Sequence, residues 1–202
     1  MSDKALTSEV IKLVDWRLSF ARLWKPKAFQ EGQEPRFEAT FLGDPSNEAH
    51  KAQIQAIKDA GKALAKAKWG DVPEDLKLSY GFADNNPVKK KYDGYPGMFY
   101  LASANTTKPT VIPRNKENGA WVQCKEGVGE APYSGCYVNT NITLWTQNNK
   151  FGKAIRCNLR IVQFSKHGQA FSGSAPVNPD DEIEALGDAP GGVKQTANSD
   201  FD

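Results

Sequence analysis

Apolar residues occupy alternate positions in two early segments of the chain, which is the period of a β-strand with one buried face. The first segment has this apolar face, interrupted by Arg22: Trp16, Leu18, Phe20 and Trp24. The second separates three apolar from three polar residues: Phe37, Ala39 and Phe41 from Arg36, Glu38 and Thr40. The pattern predicts two strands, joined by a loop over residues 26–35.

Helical spacing replaces this alternation after the second strand. Residues 47–68 are rich in Ala, Lys and Gln, and they place Ile54, Ile57 and Leu64 on one side. Ser46 is well placed to cap the first turn, since serine side chains accept hydrogen bonds from free N–H groups there. The sequence therefore predicts one amphipathic helix with a solvated lysine face.

The middle of the chain alternates loops with short strands. A polar stretch that includes the run 89–92 predicts a mobile loop, and strand character resumes over residues 98–104. Loops over residues 113–119 and 127–135 flank a further short strand at 121–124.

The last two predicted strands form a hairpin with a turn over residues 147–152. The first strand has a core face and an outer face: Cys136, Val138, Thr140, Ile142 and Leu144 against Tyr137, Asn139, Asn141, Thr143 and Trp145. The second strand divides in the same way: Ile155, Cys157, Leu159 and Ile161 against Arg156, Asn158, Arg160 and Phe164. Both faces follow from the period of two.

Several strands around one inserted amphipathic helix predict a mainly β fold, an OB-fold-like β-barrel. Another small β-barrel fits the same periodicity. The composition changes near residue 175 from aromatic and basic to acidic and small, which places this domain in residues 1–175.

Charge separates this domain from the rest of the chain. Residues 1–175 contain 25 of the 26 Lys and Arg and 17 of the 24 Asp and Glu, a formal charge of +8. Residues 176–202 contain one lysine and seven acids, a formal charge of −6. These acids stand among Pro, Gly, Ala and Asn, a composition that predicts a disordered acidic C-terminal tail. A basic body suits a polyanionic partner, and the tail suits either the body or another protein.

The outer face of the hairpin carries rings and cations in place of an ordinary polar surface. Single-stranded DNA presents phosphates and unstacked bases, and a binder needs cations and flat rings to meet both. The alternative is that the rings cover a second layer of structure and that Lys89, Lys90 and Lys91 form a solvated loop. The cations and rings expected to contact DNA are Arg17, Arg22, Trp24, Lys89, Lys90, Lys91, Tyr92, Tyr137, Trp145, Lys150, Phe151, Lys153, Arg156, Arg160 and Phe164.

Four runs of sequence carry a resemblance to a known family. They are RLSFARLW at 17–24, LASAN at 101–105, GCYVN at 135–139 and KAIRCNL at 153–159. These runs resemble a family of bacteriophage single-stranded DNA-binding proteins, formerly a domain of unknown function, over about residues 10–173. The resemblance implies an OB-fold with a helical insertion, coating of single strands without sequence preference, and a role in phage DNA replication and recombination.

The resemblance also gives the acidic tail a role. It implies a tail that competes with DNA for the basic body and docks replication proteins such as a polymerase, helicase or primase. The docking residues would be Asp200, Phe201 and Asp202. Asp202 follows the aromatic residue and no proline precedes it, which departs from the bacterial pattern.

Other function classes fit the sequence less well. His50 and His167 have no evident nucleophile partner, and no GxxxxGK run followed by Ser or Thr is present, so no enzyme is predicted. Cys124, Cys136 and Cys157 lack paired-ligand spacing, so neither disulfides nor zinc are expected, and no cofactor is predicted. The absence of an apolar N-terminal stretch predicts a cytoplasmic protein without a membrane partner. An RNA-binding or protein-binding β-barrel remains the alternative function.

Overall fold

The computed structural model of this protein describes residues 4–28 and 31–171. The tail predicted for residues 176–202, with Asp200, Phe201 and Asp202 at its end, lies outside the described residues. The described chain forms one α-helix and eight strands, with these bounds: β1 (Ile11–Lys27), β2 (Arg36–Gly43), α1 (Glu48–Trp69), β3 (Lys77–Leu78), β4 (Tyr80–Phe82), β5 (Phe99–Asn105), β6 (Thr110–Ile112), β7 (Tyr137–Asn149) and β8 (Gly152–Lys166).

Five of the strands close a barrel in the order β1, β2, β5, β8, β7 and back to β1. Neighbours in the barrel are antiparallel except β5 and β8, which run parallel. The short strands β3 and β6 add parallel to β8, and β4 adds antiparallel to β5. Large apolar side chains such as Trp16, Phe41 and Leu101 fill the interior, and burial of each stabilises the fold by roughly 1.5–3 kcal/mol.

The predicted helix is confirmed, with a different cap. Asn47 is the N-cap, because its side chain accepts hydrogen bonds from the N–H groups of Ala49 and His50. Ser46 instead donates its hydroxyl to the Asp44 carboxylate. Three apolar residues of the helix are buried as predicted: Ile54, Ile57 and Leu64.

A buried histidine joins the start of α1 to the barrel. His50 accepts a hydrogen bond at Nδ1 from the backbone N–H of Asp44, at 3.0 Å. Its Nε2 lies 3.1 Å from the backbone oxygen of Val14 in β1 and donates to it, since a carbonyl oxygen can only accept. One ring nitrogen therefore holds the helix against β1, and the other holds it to the turn that follows β2.

The predicted core face of β1 is wrong beyond Leu18, because extra residues interrupt the ladder. The pairing of β1 with β2 shifts between Ser19 and Arg22, and Phe20 has a backbone φ of 50°. An inserted residue turns the following side chains to the other face of the sheet. Phe20 is consequently 46% exposed, and Leu23 is fully buried in the position predicted for Trp24.

A second bulge corrects the predicted faces of β8. Asn141 pairs with Ile161 and the next residue of β7 pairs with Leu159, so Arg160 is an extra residue in the ladder. Beyond it Val162 replaces Ile161 in the core, and Phe164 is 2% exposed, not on the outer face. Before the bulge, the predicted core residues of both hairpin strands are buried as expected.

Two further predictions about loops are changed. Residues 121–124 form no strand, and the short strand in this region is β6, where Val111 accepts a hydrogen bond from the backbone of Cys124. The run 89–91 forms a single 3₁₀ turn, where a loose loop was predicted. Lys89 is partly buried there, whereas Lys90 and Lys91 are exposed. The burial of Lys89 matters for the site described below.

Candidate nucleic-acid interface

A row of paired residues crosses the outer face of the barrel. Arg22 of β1 pairs with Glu38 of β2, which pairs with Ala104 of β5. Ala104 pairs with Asn158 of β8, which pairs with Thr143 of β7. We call these five residues the floor row. Arg22, Glu38, Ala104 and Asn158 are partly exposed, whereas Thr143 at the β7 end is 5% exposed. We call the strip of surface along this row the trough.

The only acid of the floor row is already paired. Glu38 accepts a hydrogen bond from the Arg22 guanidinium at 3.0 Å, and both side chains are partly exposed. An exposed ion pair contributes little stability, about 0–1 kcal/mol. While the pair is formed, the carboxylate neutralises the positive charge of the guanidinium. Arg22 can therefore turn from Glu38 toward a phosphate at small cost.

Four rings form a cluster where the trough meets β1. The aromatic cluster consists of Phe20, Tyr92, Tyr95 and Tyr100. Phe20 and Tyr92 lie edge to face with centroids 5.1 Å apart, and Tyr92 and Tyr95 do so at 5.3 Å. Edge-to-face contacts of this kind stabilise ring pairs. Tyr95 and Tyr100 are buried, so the rings that can stack on a base are Phe20, which is exposed, and Tyr92, which is partly exposed.

Lys89 places a cation among these rings. Its ammonium lies between 5.4 and 5.8 Å from the centroids of all four rings of the aromatic cluster. Burial lowers the pKa of Lys89, and the negative charge of Glu38 opposes that change. The lysine thus joins the aromatic cluster to the acid of the floor row.

The backbone of Phe20 is strained in a way that exposes its ring. A positive φ is rare for a bulky residue and costs of order 1–3 kcal/mol, so it persists only where the surroundings impose it. Here the bulge in β1 imposes it and directs the ring away from the core. The alternation of β1 gave no sign of this, so the sequence analysis missed Phe20 as a surface ring.

The hairpin end carries a second group of rings and cations. We use this name for Trp145, Arg156, Lys150 and Phe151. Trp145 and Arg156 are direct cross-strand neighbours, two residues along from Thr143 and Asn158 of the floor row. Lys150 and Phe151 form the turn, where the ring of Phe151 is 65% exposed.

The electrostatics of Arg156 connect the hairpin end to β2. Its Nε donates to the side-chain oxygen of Gln147 at 2.8 Å, which fixes the guanidinium. Burial lowers the pKa of Arg156, and repulsion from Arg36 lowers it further. Two neighbouring cations repel each other, so the binding of an anion between them is electrostatically favourable.

Some predicted contact residues have structural partners. Arg17 donates to the backbone oxygens of Gly135 and Gln169, and its guanidinium lies 4.2 Å from the ring centroid of Phe171. Tyr137, its neighbour on β7, has the Lys166 ammonium 4.9 Å from its ring centroid. Their roles in DNA contact stay predictions, but much of their bonding capacity is already used.

The other predicted contact residues are dispersed. Lys153 points to the helix, with its ammonium 5.9 Å from the ring centroid of Trp69. Trp24 packs partly against the core, whereas Arg160 is exposed at its bulge. Phe164 is buried and unable to stack on a base. Lys90 and Lys91 are exposed on the turn that carries Lys89.

The structure adds rings that the sequence analysis did not single out. Tyr95 and Tyr100 complete the aromatic cluster, and Phe171 lies beside it. The signal available for Tyr95 was the Asp93-Gly94 pair between two tyrosines, which is a turn motif that brings the flanking residues together.

The described residues offer no arrangement for metal chemistry. Over residues 4–28 and 31–171, no three His, Cys, Asp or Glu side chains are grouped so that they could hold a metal ion. Burial raises the pKa of Cys136 to about 12, which suppresses thiolate chemistry. In the same part of the chain, no helix has the length and apolar character needed to cross a bilayer.

Comparison with solved structures supports the fold. The single-stranded DNA-binding protein from bacteriophage Enc34 in complex with single-stranded DNA is 25% identical, with a TM-score of 0.69, covering 81% of this chain and 89% of that chain. A second structure of the single-stranded DNA-binding protein from bacteriophage Enc34 is 25% identical, with a TM-score of 0.66, covering 87% of this chain and 90% of that chain. The predicted OB-fold-like barrel is confirmed.

Comparison of sequences gives the family. Protein p50 of Acyrthosiphon pisum secondary endosymbiont phage 1 is 34% identical over 171 residues, which is 81% of this chain and 86% of that protein. The profile of the family described as "Enterobacter phage Enc34, ssDNA-binding protein" matches residues 9–194. Because this match spans most of the sequence, the chain belongs to the Enc34 phage single-stranded DNA-binding protein family.

Proposed function

We propose that this protein binds single-stranded DNA along the floor row, from the aromatic cluster to the hairpin end. The observation that carries the proposal is the exposed, strained Phe20 beside Lys89. These two residues place an exposed ring and a cation at the β1 end of the trough. OB-folds bind oligonucleotides on the face of their second and third strands, which here are β2 and β5. The Enc34 relative, whose structure contains single-stranded DNA, supports the same ligand.

The expected binding mode uses bases and backbone together. The rings at the two ends of the trough supply stacking, worth roughly 1–3 kcal/mol per base. Arg22, Lys89 and Arg156 supply the cations for phosphates. Duplex DNA hides its base faces, so it would gain only the electrostatic part. Stacking and phosphate contacts are open to every nucleotide, so these groups give a preference for single strands without selecting a sequence.

The biological role we propose is the coating of single strands during phage DNA replication and recombination. The acidic segment 176–202 would compete with DNA for the basic body and, once displaced, dock a polymerase, helicase or primase. Its charge of −6 against +8 on residues 1–175 supports such an exchange. Asp200, Phe201 and Asp202 would form the docking end.

The experiment is a fluorescence titration of labelled oligo-dT and a matched duplex at two salt concentrations, with wild-type protein and Phe20→Leu. Leucine keeps apolar bulk but removes the flat ring, so we expect oligo-dT binding to weaken by about tenfold and duplex binding to stay unchanged.

The control variant is Val128→Ala, which trims an exposed apolar residue outside the floor row, the aromatic cluster and the hairpin end. Equal binding of single strand and duplex by the wild-type protein would contradict the proposal. A matched RNA oligomer in the same titration tests the alternative, and tighter binding of RNA would favour an RNA-binding protein.

A further inference from the structure

A pocket lies beside Phe20, next to the floor row but separate from it. Its volume is about 190 Å³. Four aromatic and three polar residues line it: Phe20, Tyr92, Tyr95 and Phe171, with Ser19, Asp93 and Ser134. Flat walls with a few convergent polar groups are typical of a site for a small planar group.

A tight turn holds Asp93 at this pocket. The backbone N–H of Tyr95 donates to the oxygen of Tyr92 at 3.2 Å, and Gly94 has a φ of 72°. A side chain at Gly94 would collide with the ring of Phe171. The close approach of Phe171 to the turn is therefore possible only with glycine, and the turn holds the backbone of Asp93 at the rim of the pocket.

The two serines have oriented oxygens. Ser134 Oγ accepts a hydrogen bond from the backbone N–H of Ala21 at 3.1 Å. Ser19 Oγ accepts one from the Tyr95 hydroxyl at 3.2 Å. A hydroxyl that accepts in this way still has its own hydrogen to donate, whereas the exposed carboxylate of Asp93 can only accept. The pocket thus combines two hydroxyl donors with one negatively charged acceptor.

We infer that this pocket takes one unpaired base with an exocyclic amino group, which donates to the Asp93 carboxylate. Cytosine presents an amino group at the position where uracil and thymine present a carbonyl oxygen, and a carboxylate accepts from the first and repels the second. The inference rests on the proposed function and adds to it a base preference at a single position.

The test compares binding of two labelled oligomers of equal length, oligo-dC and oligo-dU, at pH 7.5. The rings of cytosine and uracil have the same size, and neither has a methyl group. The comparison therefore tests the exocyclic amino group of cytosine against the carbonyl group of uracil. One charge-assisted hydrogen bond corresponds to roughly a tenfold ratio of affinities. We expect wild-type protein to bind oligo-dC about tenfold tighter than oligo-dU.

Asp93→Asn isolates the carboxylate, because the amide can both donate and accept. Loss of a negative charge tightens binding of both oligomers, so the readout is their ratio, which we expect to fall below about twofold. Asp75→Asn is the matched control, since it removes one exposed acid that does not line the pocket and should keep the wild-type ratio. Thermal melting confirms that both variants, at exposed positions, are folded.

Two results would overturn the inference and leave the proposed function standing. One is wild-type binding of both oligomers with equal affinity, and the other is an unchanged ratio in Asp93→Asn. If the wild-type protein binds neither oligomer, the proposed function fails with it.

Discussion

At the scale of single residues, Lys89 shows how binding can cost stability. Its ammonium is half removed from water, which lowers its pKa, and the surrounding rings and Glu38 offset only part of that cost. A cation held among rings loses little freedom when it meets a phosphate, which favours affinity. The same residue therefore weakens the folded state and prepares the site.

Lys89→Met tests this opposition. Methionine keeps the length and apolar contacts of the side chain without the charge, so we expect a higher free energy of unfolding in urea at neutral pH. We also expect weaker binding of oligo-dT, with a slope against log salt that is shallower by about 0.7 for one lost phosphate contact. Urea unfolding and titrations at several salt concentrations measure both effects.

The pH dependence supplies a second readout for Lys89. Its folded pKa lies below the unfolded value, so the unfolded chain binds more protons between the two. The free energy of unfolding of the wild-type protein therefore increases as the pH rises through that interval. Lys89→Met should not show this increase. Lys90→Met, at an exposed position of the same turn, is the control and should leave the free energy of unfolding at neutral pH unchanged. A less stable Lys89→Met with normal binding would refute this account.

At the scale of elements, the sequence predicts strands well where the ladder is regular. The predicted core residues of β2 and β7 are buried at the period of two, and the apolar residues of α1 follow the helical period. The predicted outer faces were wrong at Thr40 and Thr143, which are also buried. The errors begin at the bulges near Phe20 and Arg160. A bulge adds one residue without a composition signal, and every side chain beyond it changes face.

The same bulges limited the prediction of the site. Lys89 and Tyr92 were identified because a cationic run beside an aromatic residue is visible in one short segment. Phe20 was missed as a surface ring and Tyr95 as its buried neighbour, since their meeting depends on long-range packing of β1 against the 92–95 turn. The strained φ of Phe20 is likewise a product of tertiary structure that no local pattern reveals.

The two faces of the β7–β8 hairpin allow a paired prediction. Arg156 points to the outer face beside Trp145, whereas Lys153 lies over Trp69 at the end of α1. We expect Arg156→Ala to weaken oligo-dT binding and to reduce the salt slope by about 0.7. Lys153→Ala should leave the slope unchanged, although both variants lose one positive charge. The same titrations measure both variants. Equal slopes against log salt would show that the two positions on the hairpin contribute equally to DNA binding.

At the scale of the whole molecule, the chain separates opposite charges along its length. The barrel and its loops belong to residues 1–175 with +8, and residues 176–202 carry −6. The family match extends to residue 194 and so includes part of the acidic segment. A tethered acidic segment acts at a high effective concentration, so even weak attraction to the trough would compete with DNA.

Removal of the chain after Ser174 tests that competition. If the acidic segment occupies the basic trough, the truncated protein binds oligo-dT more tightly than the full chain at low salt. The difference should shrink as salt rises, because the Debye length falls from about 10 Å at 0.1 M to about 3 Å at 1 M.

A full-length variant with the seven tail acids replaced by Asn or Gln, and Phe201 kept, is the matched control. It should bind like the truncation if charge is responsible, and like the wild-type protein if Phe201 is the competing group. Identical affinity of all three proteins at low salt would mean that the segment does not reach the trough, and its role would then lie in contacts with other proteins.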